Sequence, residues 1–263
     1  MPAEAPKKVL FTGASTGIGL AIIQRLCDSG CDVWGTSRDT NRLPQLPRFH
    51  PIAMDLLQPD SIRRAFATAR EQSGGFDVLI NNAGAAVFGP TNSVPLELAR
   101  EQFQLLVEGP MELIRLALPD LLRHKTGTII NITSLAAVFP VPYMAAYNAA
   151  KAALSSYTRC LRLELPLRIV EIQPGDINTG FHNSTKRLNA PHTNGVWQVQ
   201  TETMAAAPGS ARVADAVWCV LRDPNPPPVL VVGSFAQARL APLAARLLPA
   251  RLMEWVLRRH YRL

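Results

Sequence analysis

The chain has only four cysteines, none of them in a C-x-x-C pair. At these separations Cys27, Cys31, Cys160 and Cys219 predict reduced, mostly buried thiols, and neither a disulfide framework nor a metal site. No run of about 18 uncharged apolar residues occurs, which disfavours a membrane-spanning helix. Residues 1–8 lead into an apolar segment without the hydrophobic stretch of a signal peptide, so we expect a cytoplasmic protein.

Acidic residues are scarce in residues 236–263, which we call the tail. The tail holds six arginines and a single acid, Glu254, so it carries most of the net charge of +7. The remaining residues are close to neutral and contain no known nucleic-acid-binding module, which argues against a nucleic-acid binder. Hydrophobic residues make up 48% of the 263-residue chain, enough for the core of one large α/β domain.

A glycine-rich turn follows the first apolar segment. Residues 7–12 predict a strand, residues 13–19 a turn, and the apolar periodicity after them a helix. Such a turn presents backbone N–H groups and a helix N-terminus to a phosphate. A second strand, predicted at 32–36, ends in Ser37 and Arg38. An arginine here suits a 2′-phosphate, whereas an acid would bind a ribose hydroxyl. The alternative is an ordinary surface arginine.

The alternation of strands and helices continues along the chain. We predict further strands at 50–54, 76–80, 128–133, 167–172 and 229–232, and helices at 59–72, 95–122 (interrupted near residues 109–110), 143–165 and 208–221. Residues 176–207 lack periodicity, which is typical of a functional lid or a disordered loop. The expected fold is a single-domain, Rossmann-type, doubly wound parallel sheet of about seven strands with helices on both faces. We expect this domain to span residues 1–235, followed by the tail as an amphipathic helical extension.

Tyr147 and Lys151 are four residues apart in a predicted helix, so their side chains lie one turn apart on one face. A neighbouring ammonium favours the phenolate and is expected to lower the pKa of Tyr147 towards a value useful for acid–base chemistry. Ser134 follows the strand at 128–133 and offers a hydroxyl to a substrate oxygen. Taken alone, this tyrosine–lysine spacing is more often a solvated helix face.

Five motifs occur together in a fixed order: T-G-x-x-x-G-x-G at 12–19, N-N-A-G at 81–84, Ser134, Y-x-x-x-K at 147–151 and P-G-x-x-x-T at 174–179. With them the chain resembles the classical short-chain dehydrogenase/reductase family from residue 7 to about residue 233. The resemblance implies an oxidoreductase that interconverts an alcohol and a ketone or aldehyde with NADP(H), NAD(H) being the alternative cofactor. It also implies a homodimer or homotetramer and no metal.

The resemblance assigns roles to individual residues. Tyr147 would be the general acid/base, Lys151 would lower its pKa and hold the nicotinamide ribose, and Ser134 would orient the substrate oxygen. The residues implied to bind the cofactor, besides Tyr147 and Lys151, are Thr12, Gly13, Ser15, Thr16, Gly17, Ile18 and Gly19 at the phosphates, Ser37, Arg38, Asp55 and Leu56 at the adenosine, Asn82, Ala83 and Gly84 at the ribose, and Pro174, Gly175, Ile177 and Thr179 at the carboxamide.

Two positions depart from the family pattern. Leu106 occupies the place where the family usually has an asparagine that anchors a proton-relay water, so either another group supplies this water or turnover is slower. Thr16 occupies a position that is often basic in members that prefer NADP, which leaves Arg38 to determine that preference alone.

The motifs say little about the substrate. Apolar residues are expected around the cleft, namely Val87, Phe88, Val138, Phe139, Val141, Tyr143 and the loop after Thr179. They favour a lipophilic alcohol or ketone, in the style of hydroxysteroid or retinol dehydrogenases, although core packing also explains many of them. The alternative function is a low-turnover protein of the same fold that senses a dinucleotide or acts as a scaffold.

The tail has leucines, a tryptophan and a valine at helical spacing, with arginines largely on other faces. Pro242 and Pro249 suit the first turns of two short helices. A basic amphipathic helix of this kind can lie on an anionic membrane surface, pack on its own domain or contact a second subunit. Peripheral membrane contact is therefore one of three alternatives for the tail.

Overall fold

The computed structural model describes residues 7–123, 127–188 and 190–263. Its strands are β1 Lys8–Thr12, β2 Asp32–Ser37, β3 Phe49–Ala53, β4 Val78–Asn81, β5 Val87–Phe88, β6 Thr128–Ile132, β7 Arg168–Pro174, β8 Lys186–Arg187 and β9 Val229–Val232. Seven of them form a parallel sheet in the order β3-β2-β1-β4-β6-β7-β9, and β5 pairs with β8 in a separate two-stranded sheet. The predicted fold of about seven parallel strands is confirmed.

The helices are α1 Gly17–Asp28, α2 Pro59–Ser73, α3 Leu96–Phe103, α4 Gly109–Leu121, α5 Ala145–Glu164, α6 Phe181–Ser184, α7 Asn194–Ala205, α8 Ala211–Arg222, α9 Ala241–Leu247 and α10 Ala250–His260. A π-helical turn, Gln104–Glu108, joins α3 to α4, and a second one, Ala236–Leu240, precedes α9. The predicted interruption near residues 109–110 is therefore a wide turn within a continuous helical segment.

Helices cover the sheet on both faces. Since successive strand residues point to opposite sides, each strand contributes side chains to both layers of the core. On β1, Val9 and Phe11 pack with α1 and α8, whereas Leu10 packs with α2 and α4 on the other face. The strand order reverses between β1 and β4, and in open parallel sheets a ligand cleft forms at the carboxyl ends of the strands at such a point.

The prediction that residues 176–207 form a loop without regular structure is wrong. They contain α6, β8, a short 3₁₀ turn at Pro191–Thr193, and the twelve-residue α7. The apolar periodicity of α7 is weak because its buried side includes Gln200 as well as Val196 and Val199. Its position is fixed by tertiary contacts, such as the edge-to-face packing of Trp197 on Phe88.

The tail forms two short helices, as predicted. Pro242 lies in the first turn of α9, whereas Pro249 is the residue just before α10. Within the described ranges, no helix combines the length and apolarity needed to cross a membrane.

The cysteines only partly match the expectation of mostly buried thiols. Cys27 and Cys31 are buried, whereas Cys160 and Cys219 are exposed, and all four are free. Burial raises the pKa of the Cys27 thiol to about 12, so this cysteine is an unreactive core residue.

Candidate active site

A cleft of about 1170 Å³ lies at the carboxyl ends of the central strands. The turn after β1, the ends of β2, β4 and β6, and the segment after β7 line its walls. It brings together every site residue predicted from the sequence except Thr12, which is buried behind the wall.

The turn after β1 can be made only with glycine at two of its positions. Gly13 has a φ of +74°, and a Cβ built on it would lie 2.7 Å from the Cα of Ala83. A Cβ on Gly19 would overlap the carbonyl oxygen of Gly13. Both glycines therefore let the turn pack closely on Ala83 and on itself, and the start of α1 that follows it lines the cleft, where helix N–H groups suit a phosphate.

Asn82 and Thr12 hold this turn against β4. The Asn82 side chain donates to the carbonyl oxygens of Thr12 and Gly13, at 3.0 and 3.1 Å. The Thr12 hydroxyl accepts from the backbone N–H groups of Asn82 and Ala83, at 3.0 and 3.1 Å. In this structure Asn82 therefore shapes the cleft in addition to lining it, and Thr12 acts only from behind.

The adenosine end of the cleft carries two arginines. Arg38 is exposed at the end of β2, and Arg42, which the sequence analysis missed, lines the same wall. The neighbouring carboxylate of Asp39 accepts the N–H of Asn41 at 3.0 Å and so caps a 3₁₀ turn. Asp55 likewise accepts the N–H of its own turn, from Leu57, at 3.0 Å. The positive charge at this end suits a phosphate.

Three polar side chains meet at the carboxyl end of β6. Ser134 follows this strand, and its oxygen accepts the N–H of Ala136 at 3.0 Å. Tyr147 and Lys151 project from one face of α5, both buried, and the Ser134 hydroxyl lies near enough to Tyr147 to favour its phenolate. The Lys151 ammonium donates to the carbonyl oxygen of Ile132 at 2.9 Å. The predicted grouping of tyrosine, lysine and serine is thus formed.

Burial determines the pKa values of this group. It raises the pKa of Tyr147 to about 12, against a smaller lowering by the hydrogen bond from Ser134. It also lowers the pKa of Lys151 to about 8, since removal of water disfavours the ammonium. The expectation that Lys151 lowers the pKa of Tyr147 is wrong for this structure. The ammonium lies 5.9 Å from the centre of the Tyr147 ring, and desolvation of the phenol is the larger effect.

Leu106 lies beside the buried ammonium. A Cβ built on Gly84 would lie 3.4 Å from Leu106 Cδ2 and 3.9 Å from Lys151 Nζ, so the leucine and the lysine flank the same glycine. Leu106 is 1% exposed and belongs to the apolar cluster that also contains Tyr147. Leu106 therefore places hydrocarbon on the side of Gly84 where the family pattern would place an asparagine.

The other side of the cleft is mostly apolar. Of the six residues predicted there, Val87, Phe139 and Val141 line the cleft, whereas Phe88 is fully buried behind it and Val138 and Tyr143 lie outside it. The loop predicted to line the cleft after Thr179 does so through Phe181 and His182. The sequence analysis missed other lining residues, namely Met144, Leu257, His260 and Tyr261. The last three belong to the tail, whose place in the fold no motif indicates.

Comparisons with known proteins agree with this geometry. Residues 7–189 match the family model described as short chain dehydrogenase. A 3-ketodihydrosphingosine reductase from Bacteroides thetaiotaomicron is 34% identical over 67% of this chain and 66% of its own length. An NADPH-dependent 1-acyldihydroxyacetone phosphate reductase from Schizosaccharomyces pombe is 30% identical over 92% of this chain and 80% of its own.

Among solved structures, a short-chain dehydrogenase from Streptomyces avermitilis superimposes with a TM-score of 0.82 at 26% identity, over 97% of both chains. The match to the family model covers well over half of the residues, including the glycine-rich turn and the Tyr147–Lys151 pair. The chain belongs to the short-chain dehydrogenase/reductase family.

Proposed function

We propose that the protein is an NADP(H)-dependent oxidoreductase that reduces the carbonyl group of a lipophilic small molecule. The observation that carries this proposal is the meeting of Ser134, Tyr147 and Lys151 at the inner end of a dinucleotide-sized cleft. The glycine turn that excludes side chains and the arginines at the far end fit a phosphorylated dinucleotide, which when bound supplies the hydride.

Tyr147 is the proton donor in this proposal. A pKa near 12 keeps the phenol protonated at neutral pH, as an acid for carbonyl reduction must be. The Ser134 hydroxyl, which lies near Tyr147, holds the carbonyl oxygen beside the phenol. As the proton leaves, the nearby Lys151 ammonium stabilises the phenolate that remains. Burial of the phenol thus keeps its proton in place for donation to a carbonyl oxygen.

The apolar side of the cleft supports the choice of substrate. Phe139, Val141, Met144, Phe181 and Leu257 offer hydrocarbon surface around the position of the reacting carbonyl. The two relatives described above are named a 3-ketodihydrosphingosine reductase and a 1-acyldihydroxyacetone phosphate reductase. We therefore propose a long-chain or polycyclic ketone, and a panel of lipid, steroid and retinoid carbonyls tests this class against small polar ketones. Activity on the polar ketones alone would contradict it.

Replacement of the proposed acid tests the enzyme assignment. Tyr147→Phe removes the donated proton but keeps the ring, so turnover of the best substrate should fall by about 10²- to 10⁴-fold. Fluorescence titration should show NADPH affinity nearly unchanged, because the ring and Lys151 remain. Tyr157→Phe, on the same helix but outside the cleft, serves as the control. Wild-type turnover by Tyr147→Phe would rule out this acid.

Arg38 is proposed to select NADP(H) through its 2′-phosphate. Arg38→Asp replaces a cation with an anion at the end of β2, so the ratio of NADPH to NADH affinity should fall by at least about tenfold. Arg64→Asp, an exposed arginine outside this cleft, should leave the ratio unchanged. If both variants keep the wild-type ratio in fluorescence titrations, Arg38 is not the selecting residue.

Leu106 favours a second candidate, a dinucleotide sensor or scaffold with little turnover. The side chain at position 106 is apolar at its contact with Gly84, so it offers no group to hold a water beside Lys151. In such a protein, wild type and Tyr147→Phe would bind NADPH equally and both fail to turn over the whole panel.

An amide at position 106 tests how far the leucine limits turnover. Leu106→Asn should raise the rate at saturating substrate by at least about threefold, since it supplies a group that can anchor a relay water. Leu106→Ala makes the same space without the amide and should give no increase. Equal rates for the asparagine and alanine variants would show that proton relay at this position is not limiting.

A further inference from the structure

The tail covers the mouth of the substrate cleft with one of its sides. Leu257, His260 and Tyr261 line the cleft from α10 and the turn after it. Met253, Leu257 and Tyr261, spaced four residues apart, are the half-buried positions of this segment. Burial raises the pKa of Tyr261, and this ring packs on the apolar cluster that contains Tyr147.

The opposite side of the tail is apolar and exposed. We define this outer face as Leu243 and Leu247 on α9 with Leu252, Trp255 and Val256 on α10. Leu247 is 75% exposed and Trp255 59%, and none of the five is buried. Most of the large hydrophobic side chains exposed on the described part of the chain lie at or after Phe235. A concentration of this kind is typical of a surface that meets another apolar phase.

Arginines lie on and beside the outer face. On α10, Arg251 and Arg258 lie one turn before and after Trp255, and Arg259 lies one turn after Val256. Of the six tail arginines, only Arg262 forms an ion pair with the described residues, to Glu202 at 3.4 Å. The others point their charge at solvent beside exposed hydrocarbon.

We propose that the outer face of the tail docks the protein on an anionic lipid bilayer. A helix with an apolar strip bordered by cations lies in the interface of such a membrane, with its side chains among the acyl chains and its charges at the headgroups. A second copy of the chain fits less well, because a symmetric contact of two outer faces would bring like-charged arginines together.

Docking in this orientation places α10 between the bilayer and the cleft, since one side of the helix faces each of them. The start of the tail is also joined to the segment after β7: Gln237 donates to the Asp176 carboxylate and accepts the N–H of Asp176 at 3.3 Å. A lipophilic substrate could then pass between bilayer and cleft past Leu257 and Tyr261. This consequence rests on the proposed function, whereas bilayer docking itself does not.

Vesicle co-sedimentation of the full chain tests the docking without any turnover assay. Wild type should bind vesicles of phosphatidylcholine mixed with phosphatidylglycerol. It should bind more weakly to pure phosphatidylcholine vesicles, and more weakly to the mixed vesicles when the assay is run at high salt. The double variant Leu252→Asp/Trp255→Asp should lower partitioning onto the mixed vesicles by at least about tenfold. Leu96→Asp/Leu122→Asp, with similar exposure elsewhere on the surface, should behave like wild type.

A charge-reversed variant, Arg258→Glu/Arg259→Glu, keeps the apolar residues and should also lose binding to the mixed vesicles. NADPH titration of each variant reports whether the sheet domain is folded. Failure of wild type to bind the mixed vesicles, or equal binding by all variants, would overturn the proposal. The proposal would also be overturned if Leu252→Asp/Trp255→Asp bound vesicles like wild type but had a lower molecular mass in solution than wild type. That result would show that the outer face forms a contact between copies of the chain.

Discussion

The site depends on a buried ammonium group. Lys151 reaches from α5 to the carbonyl oxygen of Ile132, at the end of β6, at 2.9 Å. This hydrogen bond helps to hold the helix that carries Tyr147 against the strand that leads to Ser134. The folded chain binds the lysine proton less tightly than the unfolded chain. The burial therefore costs stability below pH 8, and this cost disappears as the pH rises towards 10.5.

The exclusion of water around Lys151 also affects Tyr147 and the side chain at position 106. Burial keeps Tyr147 protonated instead of lowering its pKa, which suits a donor in reduction. Leu106 contributes to that dryness at the position where the family resemblance implies an asparagine, so in the proposed reaction the proton that replaces the donated one enters by another route. The structure thus combines the polar group of Ser134, Tyr147 and Lys151 with apolar walls, and the tail extends these walls from Phe181 to Leu257 and Tyr261.

The sheet and the cofactor side of the site could be predicted because they depend on local patterns. The strand-turn-helix at Gly13–Gly19 and the spacing of Tyr147 and Lys151 are fixed by nearby residues. α7 and the β5–β8 pair could not be predicted, since they are set by contacts such as Trp197 on Phe88 and not by periodicity. The direction of the Tyr147 pKa shift was missed for a similar reason: burial is a property of the whole fold.

The most direct test of this account is the pKa of Lys151 in the ligand-free protein. An NMR titration of ¹⁵N- and ¹³C-labelled lysine side chains, with Lys151→Arg to assign the signal, measures it without substrate or cofactor. The chain has few lysines, so the signals separate easily. The account predicts a pKa of about 8 for Lys151. A value near 10.5, the ordinary value for lysine, would show that the ammonium is solvated and would contradict the account.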